Sequence, residues 1–206
     1  MKKMRYQFTF LGDAMNRLAC ALVAVVVVFA AGLPAFGQPK RLSPHETLSN
    51  VIGGDRVMFV YGRPYTKNPR TGEIRKIWGG LVPYGQVWRT GADEATLLIT
   101  QKPIVLGGAT IPAGCYSVWT LPNDDGTAKL IINKQIGQWG EDRTNPKNVY
   151  DEANDVARVD LKKSDLDTSV DQFTISIERD PDVKGGGLIK LKWEKTQYAV
   201  AFTVAG

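Results

Sequence analysis

Side chains suited to recognition chemistry concentrate between Tyr61 and Thr96. Arg63, Trp78, Tyr84, Trp88, Arg89, Asp93 and Glu94 lie there, among glycines at 62, 72, 79, 80, 85 and 91. An arginine presents a planar fork that matches a carboxylate or phosphate, and aromatic rings supply stacking area. Glycine lets the backbone turn sharply or approach a ligand closely. These seven residues are the candidate ligand-binding set. Asp93 and Glu94 also permit a second reading, a hydrolase in which neighbouring carboxylates divide acid and base roles. A plainer reading ties Arg89 to Glu94 as a loop-to-strand salt bridge and leaves Trp78, Tyr84 and Trp88 plugging the core. Trp119 and Trp193 read as plain core.

Other chemistries find little support. Cys115 is the only cysteine beyond the N-terminal apolar run, and His45 is the only histidine of the chain. A nucleophilic cysteine needs a base, and these two pair only if the ends of the chain meet. Cys115 reads as a buried, inert thiol and His45 as a solvated side chain. Zinc and copper sites want three or four nitrogen or sulfur ligands, so no metal site is expected. Asp151 to Asp155 and Asn123 to Gly126 are acidic but lack the alternate-position spacing of a calcium loop. Gly185-Gly186-Gly187 lacks the Lys-Ser/Thr of a phosphate loop. No cofactor and no catalytic residue is assigned.

The same stretch carries a resemblance. Tyr61-Gly62-Arg63-Pro64, Ile77-Trp78-Gly79-Gly80-Leu81-Val82-Pro83-Tyr84-Gly85 and Val87-Trp88-Arg89-Thr90-Gly91-Ala92-Asp93-Glu94-Ala95-Thr96 resemble the signature of the DUF2911 family. Ala113-Gly114-Cys115-Tyr116-Ser117, Asn133-Lys134 and Trp139-Gly140 fit its later blocks. The similarity runs from about Val51 to Val204. It implies an exported bacterial protein with a β fold and transfers no catalytic residue. Two departures bear on any shared site. The link Lys67 to Lys76 is longer than the family pattern, and Asp93 and Cys115 stand where Asn and a small polar residue are usual.

The elements that must position these residues are strands. Val57, Phe59 and Tyr61 alternate with Met58 and Val60; Phe173, Ile175 and Ile177 do the same. So do Ile189, Leu191 and Trp193, and then Tyr198 to Val204, with Val156 to Lys162 a weaker case. Alternation means one face buried and one wet. Ala95–Thr100, Tyr116–Leu121 and Leu130–Asn133 are apolar on both parities and read as central strands. Turns are expected at Gly107-Gly108, Pro112 to Gly114, Asn123 to Gly126, Asp180 to Gly187 and Glu194 to Gln197. Gly137 to Asp155 reads as a long loop with at most one helical turn. Ser43-Pro44-His45-Glu46 has the form of a capping box, so a short helical turn ended by Gly53-Gly54 is expected. The expected fold is all-β: a single-domain antiparallel sandwich or barrel-like sandwich of roughly nine strands.

The N-terminus reads as an export signal. Lys2, Lys3, Arg5 and Arg17 precede an apolar run, Ala19 to Leu33, and Ala35-Phe36-Gly37 follows. That order of basic, apolar and small residues belongs to a cleavable signal over residues 1–37, with Met15 a candidate start. Residues 38–52 are a lead-in and 53–206 the β domain. The run is short for a transmembrane helix, which takes about 20 residues. With the signal gone the formal charge falls from +5 to +2, because four basic residues and Asp13 leave with it. So small a charge gives no argument for nucleic-acid binding. One remaining cysteine closes no internal disulfide, so a packed core must carry stability. The expectation is a periplasmic or secreted, non-catalytic protein. It would bind a small molecule, glycan or envelope protein through Arg63 to Glu94. A hydrolase or a structural subunit of an envelope complex are the alternatives.

Overall fold

The computed structural model describes residues 41–139 and 149–205. The export segment and the lead-in up to Lys40 lie outside the described residues. The chain is all-β, with nine antiparallel strands. In order they are β1 His45–Ile52, β2 Asp55–Gly62, β3 Ala92–Thr100, β4 Ile104–Leu106 and β5 Ala109–Ile111. β6 Gly114–Pro122, β7 Ala128–Asn133, β8 Asp155–Arg179 and β9 Gly186–Val204 complete the set. They hydrogen-bond in the order β1-β2-β3-β6-β7-β8-β9-β4-β5. The segments apolar on both parities, now β3, β6 and β7, sit at the middle of the first limb. One face of these strands meets the main core. The other face buries Ala95, Trp119 and Ile131 in a smaller cluster.

Two expectations are corrected. The expected helical turn at Ser43–Glu46 does not form, because His45 to Ile52 pairs residue for residue with Asp55 to Gly62. Gly53 and Gly54, both at positive φ, make the hairpin turn of that pair rather than a helix end. Eight paired residues outweigh the cap of a helix too short to sustain itself. The expected turn at Glu194–Gln197 is also absent. Ile189 to Phe202 belongs to one 19-residue strand, and Glu194 turns through φ 52 without leaving it. The inward side chains change parity there, from Ile189, Leu191 and Trp193 to Tyr198, Val200 and Phe202.

That kink is where the sheet turns its corner. Asp165 pairs with Thr196 and Thr174 with Lys192, so β8 spends more residues than β9 over the same stretch. Surplus residues on one strand bend the pair and increase its twist. The first part of β8 pairs with β7, and its later part pairs with β9 on the second limb. Folding one limb over the other buries Val57, Phe59, Tyr61, Leu98 and Val118 against Phe173, Ile175, Leu191, Trp193 and Phe202.

The seam between β8 and the β1–β2 end is closed largely by side chains. The Asn50 amide donates to the Ile177 carbonyl at 3.0 Å. The Tyr61 hydroxyl accepts from the Ile175 amide at 3.0 Å. Burial pushes that phenol up to about 12, so it stays protonated and in place. On the outer face of the second limb, Glu178 accepts from Lys190 at 2.5 Å, Lys192 at 3.2 Å and Ser176 at 2.8 Å. Burial works to raise its pKa, but these three donors outweigh that and hold the carboxyl at about 2. A depressed carboxyl contributes stability above the ordinary glutamate pKa and loses it as pH falls through the depressed value. Urea midpoints should therefore drop between about pH 4.5 and 2, and Glu178→Gln should flatten part of that slope. An unchanged slope in the variant would show that the three donors do not stabilise the fold.

Candidate functional site

Between β2 and β3 the chain leaves the sheet for residues 63–91 and crosses one end of it. The excursion is pinned at both sides. Tyr65 bridges Gln172 on β8, and Trp88 exchanges two 2.8 Å backbone bonds with Thr120 on β6. Ile77 and Val82 are fully buried, so the crossing segment is itself part of the core. Two of its glycines are steric necessities: a Cβ on Gly79 would lie 2.6 Å from the Tyr84 ring, and one on Gly80 2.3 Å from the Lys76 carbonyl. Trp78 packs edge-on to Trp88 and Tyr198, at centroid distances of 6.2 and 5.3 Å. Trp88 stacks on Trp193 at 5.9 Å and 23° and meets Phe173 edge-on at 5.0 Å.

A cleft of about 350 Å³ opens beside this plug. Trp88, Trp193, Pro64 and Leu81 lie along it. Arg89 and Asp93 line it from the chain entering β3, and Leu42 and Ser43 from the chain entering β1. A short hairpin, residues 65–75, adds Tyr65, Asn68, Pro69, Arg70 and Arg75. Its base is anchored by Thr66, whose amide and hydroxyl both donate to the Asp171 carbonyl, at 2.7 and 2.9 Å. Arg75 donates to the carbonyls of Tyr65 and Thr66, which fixes the plane of its guanidinium.

The rim from Trp88 to Glu94 is held in an unusual backbone path. Thr90 and Asp93 have φ of 55° and 64°, a region that β-branched residues rarely enter. Thr90 is fully buried; its Oγ1 lies 2.8 Å from the Thr120 hydroxyl, and its carbonyl accepts from the Thr96 hydroxyl at 2.7 Å. Asp tolerates the left-handed region better than most residues, as Asn does.

The seven sequence candidates do not share one cavity. Trp88, Arg89 and Asp93 line the cleft. Arg63 faces the seam: it pairs with Glu46 at 2.8 Å and donates to the Phe173 carbonyl and the Thr174 hydroxyl. Trp78 joins the core edge, and Tyr84 covers Gly79 while remaining partly exposed. Glu94 lines a second hollow, of about 450 Å³, with Arg41, His45, Val60 and Leu97. There Arg41 grips Glu94 through two 2.5 Å bonds and lies 5.8 Å from the Trp139 ring centroid. The Arg41 hydrogen bonds hold the Glu94 carboxyl below the usual range.

Sequence reasoning missed five contributors. Arg70 and Arg75 were visible only as part of a long link, and nothing in their spacing marks a cleft. Arg41 belonged to the lead-in. His45, expected to be solvated, lies 3.0 Å from Asp93 and 2.8 Å from Arg41 through the same ring nitrogen. One nitrogen cannot accept from Arg41 and donate to Asp93 at once, so the two contacts alternate with tautomer. Trp193, expected as plain core, is fully buried and also borders the cleft. Cys115 stands opposite Ile99 in the β3–β6 ladder, and burial pushes its thiol up. Among the described residues, no group of three or more His, Cys, Asp or Glu is placed to hold a metal ion. No helix among them is long and apolar enough to cross a membrane.

Fold and site together define a folded-over, nine-stranded antiparallel β protein with an arginine-lined cleft at the end closed by its β2–β3 excursion. The chain belongs to the family DUF2911, a protein of unknown function, whose model matches residues 43–202. No curated protein and no solved structure matches it.

Proposed function

We propose that this is an exported, non-catalytic binding protein whose cleft beside the β2–β3 excursion takes a small anionic ligand. The observation that carries the reading is that Arg70 and Arg75, neither of which forms an ion pair among the described residues, line one cleft together with Arg89. Guanidinium–carboxylate and guanidinium–phosphate bonds are charge-assisted and stronger than neutral ones. A sugar platform is less well supported, because Trp78 and Trp88 are committed to packing on Tyr198, Phe173 and Trp193. The hydrolase reading needs both acids on one cleft. Asp93 and Glu94 line separate ones and meet only through His45 Nε2, at 3.0 and 3.7 Å, while Arg41 keeps Glu94 ionised rather than available as an acid.

Export rests on the basic, apolar, small-residue order of residues 1–37. Fractionation with N-terminal sequencing tests it, the expected product beginning near Gln38; an unprocessed cytoplasmic chain would refute it. The cleft is tested by titrating phosphate and short carboxylates at low ionic strength, read by tryptophan fluorescence, since Trp88 and Trp193 border the site. Saturable quenching is expected, weakened about tenfold or more in Arg89→Ala, from the loss of roughly 1.5–3 kcal/mol for a charged hydrogen bond. Arg75→Lys, which keeps the charge but not the fork, should lose affinity while staying folded. If no anion saturates the signal, or both variants bind as the parent does, the anion-binding reading is wrong.

A further inference from the structure

We infer that the cleft takes an amphipathic anion, an aliphatic chain ending in a carboxylate or phosphate, with Leu42 and Leu81 covering the chain and the hairpin 65–75 holding the head. This rests on the anion-binding reading above and adds to it the chemistry of the rest of the ligand.

Three separate segments contribute the apolar lining of the cleft. Leu42 comes from the chain entering β1, Pro64, Leu81 and Trp88 from the β2–β3 excursion, and Trp193 from β9. Leu42 and Leu81 are 44% and 43% exposed, so two large aliphatic side chains meet water at one cavity. A lone exposed leucine is ordinary, but two on one cleft, beside Pro64 and the tryptophan pair, form a surface that an apolar body can cover. An aliphatic body suits it better than a stacked ring, because Trp88 already packs on Trp193, Phe173 and Trp78. The volume of about 350 Å³ lies at the small end of the usual ligand-pocket range, about 300–1,000 Å³. That leaves room for a short chain as well as its charged head.

The charge on the ligand is set by the hairpin. The Asn68 amide donates to the Glu73 carbonyl and the Gly72 amide to the Asn68 carbonyl, both at 2.8 Å. Gly72 sits at φ +77, the left-handed turn position. The Asn68 side chain accepts from the Arg70 amide at 2.9 Å, which sets the tip residue. Arg75 spends Nε and one Nη2 donor on backbone carbonyls, leaving Nη1 for a ligand. Neither Arg70 nor Arg75 forms an ion pair among the described residues, and both line the cleft. A braced hairpin with two such cations, next to exposed aliphatic side chains, is complementary to a small molecule with a charged end and an apolar end.

The test compares anions that share a head and differ in body. Acetate and hexanoate, and methyl phosphate and hexyl phosphate, are titrated calorimetrically into the purified protein, with hexanamide as the uncharged control. A buried methylene is worth about threefold to fourfold in affinity, so the longer member of at least one pair should bind about tenfold or more tighter than the shorter. The pair that binds more tightly identifies carboxylate or phosphate as the head. Hexanamide should bind about tenfold or more weakly than the tighter long anion. Leu81→Ser should cut the long-to-short ratio about threefold or more, and Leu42→Ser should do the same independently; far-UV spectra check that both variants fold. Arg70→Ala should weaken the long and short members by a similar factor. Equal binding of long and short members by the parent protein would overturn the inference while leaving the anion site standing. A ratio that survives both leucine substitutions would overturn the role given to those side chains. Hexanamide binding as tightly as the long anions, or no binding by any of the four anions, would bring down the inference and the anion-binding reading together.

Discussion

Trp193→Ala should lower the unfolding free energy by about 3–5 kcal/mol, the range for truncating a buried large aromatic. Trp193 is fully buried on β9, just before the kink at Glu194. It stacks on Trp88 at 5.9 Å, meets Phe173 at 5.7 Å, and donates its indole N–H to the Asp171 carbonyl at 3.3 Å. Three pieces of structure meet at this ring: the β2–β3 excursion through Trp88, the second limb through β9, and the seam through Phe173. Removing it leaves a cavity that these elements cannot close without abandoning the Trp88–Thr120 bridge. The cleft should therefore loosen as well, and anion affinity should fall together with stability. Urea denaturation with ligand titration on the same samples checks both. Trp139→Ala is the comparison: that ring is 42% exposed, so its loss should cost far less. Equal losses in the two variants would show that the stack does not organise the cleft.

Gly62→Ala should cost about 3 kcal/mol, the upper part of the range for overpacking. The reason is contact rather than backbone freedom. A Cβ at position 62 would lie 2.3 Å from the Ala92 carbonyl oxygen and 3.0 Å from its carbon. Those are backbone atoms, and Ala92 is the residue paired with Gly62 after the bulge that follows Val60. Ala92 cannot retreat without moving Asp93, already at φ 64, and with it the Asp93–His45 contact. One methyl group thus displaces the cleft rim from a distance. Gly72→Ala separates the two possible causes. Space around Gly72 is open, but its φ is +77, so the change should cost only about 1 kcal/mol in backbone strain. Thermal melts that rank Gly72→Ala as the more damaging would refute the steric account.

The strands were largely legible because a half-buried sheet imposes period two on its sequence. β2, the later part of β8 and both halves of β9 show that alternation. β3, β6 and β7 show its loss where both faces are covered. The Asn123–Gly126 turn was equally plain: Gly126 sits at φ 87, and the Asn123 amide donates to the Thr127 carbonyl at 2.8 Å. Pairing was not legible. The capping-box residues Ser43 to Glu46 satisfy a local rule that an eight-residue ladder overrides. At Glu194 to Gln197, a change of parity reads the same in sequence whether the strand ends or merely kinks.

The candidate site divides along the same line. The local composition of Tyr61 to Thr96 sufficed to mark the segment as unlike the rest, and Trp88, Arg89 and Asp93 do line the cleft. Whether an arginine faces a ligand or a carbonyl depends on what lies across the chain. Arg63 meets Phe173 and Glu46 and straps the seam; Arg75 and Arg70, from a link with no motif, border the cleft instead. Asp93 and Glu94 line different hollows, yet both carboxylates reach His45 Nε2, at 3.0 and 3.7 Å, a meeting that the lead-in histidine creates and the local sequence does not show. The sequence alone determined the all-β class, its central strands and the family. The tertiary structure decided which charges meet, because that is set by long-range pairing and by the corner in β8 and β9, and neither is encoded within a few residues of the groups it brings together.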